Sequence, residues 1–168
     1  MSNKKAIFKN KGFTLIELLV VISIIGFIAA ASVVSFNIVR MQSRDAVRSG
    51  NVSTLNRALA LYLNDFGTYP APAGGYGSGE CLSSAGAGSS LISAETIVNI
   101  PIDPLWTAAP STFNGGATTD YAVAPSANFC YWYYATSNSY YISYYLESNS
   151  NAGDSGIHVM TSGGSITP

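Results

Sequence analysis

The sequence is poor in charge, and the charge it has is unevenly placed. Only 10% of the 168 residues are Asp, Glu, Lys or Arg, and neither Lys nor Arg occurs after Arg57. Beyond that point the formal charges are all acidic: Asp65, Glu80, Glu95, Asp103, Asp120, Glu147 and Asp154. A phosphate backbone needs cationic neutralisation, so no direct nucleic-acid partner is expected for this region. Histidine is limited to His158, and there is no G-x-S-x-G, no H-E-x-x-H, no Cys–His pairing and no phosphate-cradling glycine motif. Little remains from which to build an active site, so the chain does not read as an enzyme, and His158 reads as a surface residue of an edge strand. Cysteine is almost as scarce, with Cys81 and Cys130 alone. In an oxidising compartment they could pair, closing a loop of roughly 50 residues worth about 4 kcal/mol in the chain-entropy model. The alternative, two unpaired thiols, stays open at this point.

What the chain has in quantity is apolar surface, 48% of all residues, much of it in one run. Residues 1–12 form a basic leader carrying Lys4, Lys5, Lys9 and Lys11, and from Leu18 to Val39 there is no charged residue. The run from Phe13 to Phe36 has about the ~20 residues that a helix needs to cross ~30 Å of hydrocarbon. Lysines before the run place the N-terminus in the cytoplasm and everything after it outside, with membrane lipid as the first surroundings of residues 13–39. Glu17 is the anomaly, because an unpaired ionised side chain inside such a segment costs at least ~2.5–3.5 kcal/mol. Either it snorkels to the headgroups or it awaits a partner. A competing reading takes Ala29-Ala30-Ala31 before Ser32 as an A-x-A site, where an ordinary signal peptidase would release a secreted soluble binding protein. An ordinary signal has no use for Glu17, and the helical pattern runs on through the supposed cut.

Residues 40–66 continue as an amphipathic helix. Val52, Leu55, Leu59, Tyr62 and Phe66 recur at steps of three and four and share one face, with Arg44, Arg48, Asn51 and Asn56 as polar positions around the rest. Gly67, followed by Pro70 and Pro72, ends the helix near Asp65. The remaining head, 67–168, opens with a Gly/Ser/Ala-rich loop over 71–90. Leu91–Ile100 is ambiguous between helix and extended chain, Pro101-Ile102-Asp103-Pro104 forces a turn, and Asp120–Ala124 reads as a strand. The clearest sheet signal is a β-hairpin over 128–147 around Ser137-Asn138. In its second strand Tyr140, Ile142, Tyr144 and Leu146 should cover the helix, while Tyr141, Ser143, Tyr145 and Glu147 face solvent or a neighbour. The eight tyrosines from Tyr121 to Tyr145 suit either core and subunit packing or a sugar-stacking surface. Gly156–Thr161 adds a strand and the tail is loop. The fold class expected is α+β, a long N-terminal helix on a small antiparallel head.

The stretch Lys11-Gly12-Phe13-Thr14-Leu15-Ile16-Glu17-Leu18-Leu19-Val20-Val21-Ile22 resembles the leader junction of type IV prepilins and type II secretion pseudopilins. Tyr62-Leu63-Asn64-Asp65-Phe66-Gly67-Thr68-Tyr69-Pro70, with Pro101-Ile102-Asp103-Pro104 downstream, is similar to the major pseudopilin and its relatives. The resemblance implies that a prepilin peptidase cuts between Gly12 and Phe13 and methylates the Phe13 amine. It implies that Glu17 pairs with the Phe13 amine of a neighbouring subunit. It also implies a homopolymer of this chain or related pilins, raised by an inner-membrane assembly platform into a periplasmic or extracellular filament. The sequence departs from the family in having Gly26 and no proline in the membrane half. The family's calcium-binding C-terminal loop has a counterpart at Asn149–Ser155, but Asp154 is its one carboxylate, whereas calcium takes about six to eight oxygens. No cofactor is expected, calcium being the one candidate, and Asp154 reads as a turn residue.

Overall fold

The chain divides into two compact units, Met1–Val39 and Arg40–Pro168. The structure, a computed structural model, describes residues 12–106 and 130–166; the strand expected at Asp120–Ala124 and the hairpin's first residues lie outside them. In the first unit, helix α1 (Leu15–Phe66, 52 residues) begins directly after Thr14. Leu15, Ile16, Leu18, Ile22, Ile25 and Phe27 are exposed along it. The Ser23 and Ser32 hydroxyls donate back to the carbonyls of Leu19 and Ile28 at 2.8 Å, so they add no open donor to an apolar surface. By length and composition the helix is apolar enough to cross a membrane.

In the second unit, the part of α1 from Arg40 onward packs on a five-stranded sheet. Val52, Leu55 and Leu59 are buried, as their spacing predicts, and Tyr62 is partly so. Burying leucines such as Leu55 and Leu59 contributes roughly 1.5–3 kcal/mol each. Phe66 departs from the expectation. It is 56% exposed and stacks on Tyr62 with centroids 4.4 Å apart, outside the core. The second departure is larger: Asp45 and Arg48 are completely buried and extend the stripe 45, 48, 52, 55, 59 toward the N-terminus. A hydrophobic pattern cannot register a stripe whose next two members are an ion pair. Gly67, at φ +70°, ends the helix in the left-handed region that favours glycine, its N–H donating to the Leu63 carbonyl at 2.8 Å.

The sheet is an antiparallel meander in the order β1 (Gly79–Cys81), β2 (Trp132–Ala135), β3 (Tyr140–Leu146), β4 (Gly156–Thr161), β5 (Gly164–Ile166). Three expectations are corrected here. The region 71–90 is not all loop. It contains β1 and the start of helix α2 (Gly86–Ser93), because the Glu80 carboxylate accepts from the backbone N–H groups of Ala73 at 2.8 Å and Ala87 at 2.6 Å. That cap, from a side chain seven residues before Ala87, replaces the side-chain cap that Ala85 cannot supply and falls outside the usual capping spacing. The tail is not all loop either, since β5 pairs with β4 in the register Val159↔Ile166. Ser143, expected outward, is buried, lying between Trp132 and Val159 in the cross-strand register.

The inner sheet face presents Tyr133, Ala135, Tyr140, Ile142, Tyr144 and Leu146 to α1 and to Leu82, Ala87, Leu91 and Ile100. Tyrosine suits this core because each buried hydroxyl finds a partner. Tyr131 accepts from the Asn51 amide at 2.8 Å, Tyr133 donates to the Pro70 carbonyl at 3.0 Å, and Tyr140 donates to Asn56. Among the described residues no buried side-chain polar atom lacks a partner. Burial pushes the Tyr131 phenol up to about 12, with the Asn51 bond opposing, and it raises the Tyr133 and Tyr140 phenols as well.

Candidate functional site: the start of the long helix

The N-terminal candidate residues sit at the first turn of α1. Gly12 and Phe13 precede the helix, and Phe13 is 84% exposed. The Thr14 hydroxyl oxygen accepts the Glu17 backbone N–H at 3.3 Å, and the Glu17 carboxylate accepts both the Thr14 backbone N–H at 2.8 Å and the Thr14 hydroxyl at 2.7 Å. This is a capping box, the reciprocal satisfaction of helix-start donors by Thr and by a Glu three residues on. The carboxylate also stands at the positive end of the helix dipole. Glu17 therefore has partners within its own chain, and the reading of it as either snorkelling or unpartnered omitted this. The signal was present in the sequence as Thr14-Leu15-Ile16-Glu17, an S/T-x-x-E pattern.

Both Thr14 bonds fall on Glu17 Oε2. Oε1 has no hydrogen-bond partner among the described residues, so the box orients the carboxylate and leaves one oxygen for a further donor. Gly12 shows the opposite relation to the fold. A Cβ built on it meets nothing within 4 Å, so nothing in the described structure requires glycine there.

In the head, the charged residues converge where sequence reasoning did not place them. Arg48 bonds Asp45 Oδ1 at 2.9 Å and Glu147 Oε1 at 2.5 Å, and grips Asp103 through both carboxylate oxygens at 2.7 and 3.1 Å. Arg44 takes Glu147 in a second bidentate pair at 2.7 and 2.5 Å. Glu147 is thus drawn onto α1, contrary to the outward position that strand alternation assigned it. The Arg44 pair holds the Glu147 carboxyl below the usual carboxylate range against burial, with Arg48 assisting. Burial pushes Asp45 up, but hydrogen bonds from Glu147, Ser148 and Arg48 outweigh it and the net shift is downward. Burial likewise opposes the Arg48 charge, and its pairs with Asp103 and Glu147 raise it overall. Two arginines and three carboxylates so tie α1, the 101–104 turn and the end of β3 together.

His158 is corrected as well. It is buried on β4, an inner strand, opposite Tyr144, and its Nε2 donates to the Asp154 carbonyl at 2.7 Å. In the 149–155 loop, Asn149 Oδ1 accepts from Ser155 N–H and Ser150 Oγ from Ala152 N–H, so its oxygens serve the turn itself. Among the described residues no group of three or more His, Cys, Asp or Glu is placed to hold a metal ion. Cys81 and Cys130 are joined as a disulfide that ties β1 to the residue pair before β2.

A long apolar helix followed by an antiparallel sheet defines an α+β, pilin-like arrangement. The family model described as "Prokaryotic N-terminal methylation motif" matches residues 7–33, so the chain carries a prepilin-type motif across the junction described above. Nothing among curated proteins or solved structures matches the chain. Pilins, which carry this motif, are structural and non-enzymatic.

Proposed function

We propose that the chain is the subunit of a type IV pilus-like or type II secretion pseudopilus filament. A prepilin peptidase cuts after Gly12 and methylates the amine of Phe13. Residues 13–39 hold the subunit in the cytoplasmic membrane with its leader inside, and the assembly platform then moves it into a homopolymer or a filament shared with related pilins. The observation that carries this reading is the methylation motif over residues 7–33, standing on a helix whose first residues are apolar and exposed. The glycine at position 12, which the described structure does not need, suits recognition by a peptidase.

The mechanism is assembly. Apolar helices leave lipid and pack against one another, a step driven by packing and polar pairing, because lipid tails are as apolar as the helices. An ionised Glu17 in that setting is costly alone and favourable beside a cation, so the Phe13 amine of an adjacent subunit sets the register. The open Oε1 is the acceptor for it, while Thr14 keeps the carboxylate in one orientation. Continuity of α1 through Ala31 and Ser32 gives the ordinary signal-peptidase reading no extended segment at its cut. Glu17→Ala is expected to leave processing and membrane insertion intact and to reduce the yield of sheared filaments. A wild-type filament yield would remove Glu17 from the assembly step.

A further inference from the structure

The loop joining β3 to β4 is tied at its ends, with Ala152 packed against the core between them. At its start the Asp45 carboxylate accepts three hydrogen bonds, from Glu147 N–H at 2.9 Å, Ser148 N–H at 2.9 Å and the Ser148 hydroxyl at 2.8 Å. At its end the His158 ring holds the Asp154 carbonyl. Internally it is closed by paired backbone bonds between Ser150 and Gly153. Past Ser148 a cleft of about 390 Å³, lined by Gln42 and Ala46 of α1 and by Asn149–Ala152, separates the loop from the helix. A second cleft of about 320 Å³ is lined by the loop from Ser150 to Ser155 and by His158. The loop is therefore a closed turn that lines two clefts, fastened to α1 through its first two residues.

We propose that Asp45 and Glu147 form an acid-sensitive latch that fixes the 147–155 loop to α1, held shut by the buried Arg48. Asp45 is the fixed half, set by Arg48 at 2.9 Å. Glu147 is the moving half, gripped by Arg44 and Arg48 from the helix. The other ionisable group at the junction is Asp103, bonded to Arg48 from the 101–104 turn. Tyr131, its hydroxyl on Asn51, stays neutral throughout the acid range. Protonating Asp45 or Glu147 weakens charge-assisted bonds at the start of the loop, while the internal loop bonds and the sheet ladder are unaffected. Both carboxyls titrate below their ordinary range in the folded chain. The latch is thus fully shut above that range and opens as pH falls through the lowered values.

Hydrogen exchange of the full chain in detergent micelles, corrected for the intrinsic pH dependence of exchange, tests this. From pH 7 to about pH 3.5 the protection of the Glu147 and Ser148 amides should fall at least about tenfold, while Tyr133 and Ile142 keep theirs. Asp45→Asn should show low protection already at pH 7 and a smaller acid transition, the part that Glu147 contributes through Arg44 and Arg48. Ser148→Ala, which leaves the carboxylate in place, should lose about two- to fivefold at pH 7 and retain the acid transition. Protection of Glu147 and Ser148 that does not change with pH overturns the latch. So does a loss shared equally by Tyr133 and Ile142, which would be acid unfolding of the whole head.

Discussion

Replacing Arg48 by methionine keeps most of the side chain's length and apolar contact and removes its charge. In the wild-type head that guanidinium has no exposed surface and bonds Asp45, Asp103 and Glu147 at 2.5–3.1 Å. Breaking a buried pair by removing one partner costs about 3–5 kcal/mol, because the carboxylates left behind stay desolvated. For a domain of this size each kcal/mol lowers Tm by about 2–4 °C, so Arg48→Met should melt roughly 6–20 °C lower at pH 7. The pH dependence follows from the same charges. In the wild type, Glu147 and Asp45 have lowered values and contribute stability that is lost as pH falls through them. In the variant Asp45 loses its cation and Glu147 keeps only Arg44, so acid protonation relieves carboxylates left short of positive charge and the gap between the two proteins narrows below about pH 4. Near-UV circular dichroism of the full chain in micelles follows the tyrosine-rich head specifically. A gap at pH 7 equivalent to less than about 1 kcal/mol, or one that does not vary with pH, would refute the idea that Arg48 compensates buried carboxylates.

Two glycines of helical segments should respond oppositely to alanine. A Cβ at Gly88 would stand 1.8 Å from the Ser83 carbonyl oxygen, so Gly88→Ala should displace α2 and lower the denaturation midpoint by an amount worth about 2 kcal/mol or more. Gly50 has nothing within 4 Å, and Gly50→Ala should stabilise by about 0.5–1 kcal/mol through helix propensity. Removing the disulfide in the paired variant Cys81→Ser, Cys130→Ser frees a segment with a sequence separation of 49. Urea unfolding should then show a loss of up to about 4 kcal/mol, and an unchanged midpoint would mean that the unfolded chain is already compact there.

The helix and the hairpin were legible because each obeys a period. The stripe Val52, Leu55, Leu59 and the alternation Tyr140, Ile142, Tyr144, Leu146 are buried as read. What was not legible depends on partners that lie outside the helix and strand periods. Glu80 caps a helix seven residues on and closes the turn seven residues back. Arg48 is buried because Asp103 and Glu147 arrive from 55 and 99 residues away. The same contact draws in Glu147, which alternation alone would send outward. Thr14 belongs to a different category. Its capping role was written in the local pattern and was masked by the apolar run that begins at the same place.

The identity of the mature N-terminus tests the filament reading most directly. Mass spectrometry of the chain recovered from sheared surface filaments should find it beginning at Phe13 with a methylated amine. A chain beginning at Ser32, or one beginning at Met1 and absent from the sheared fraction, would contradict it.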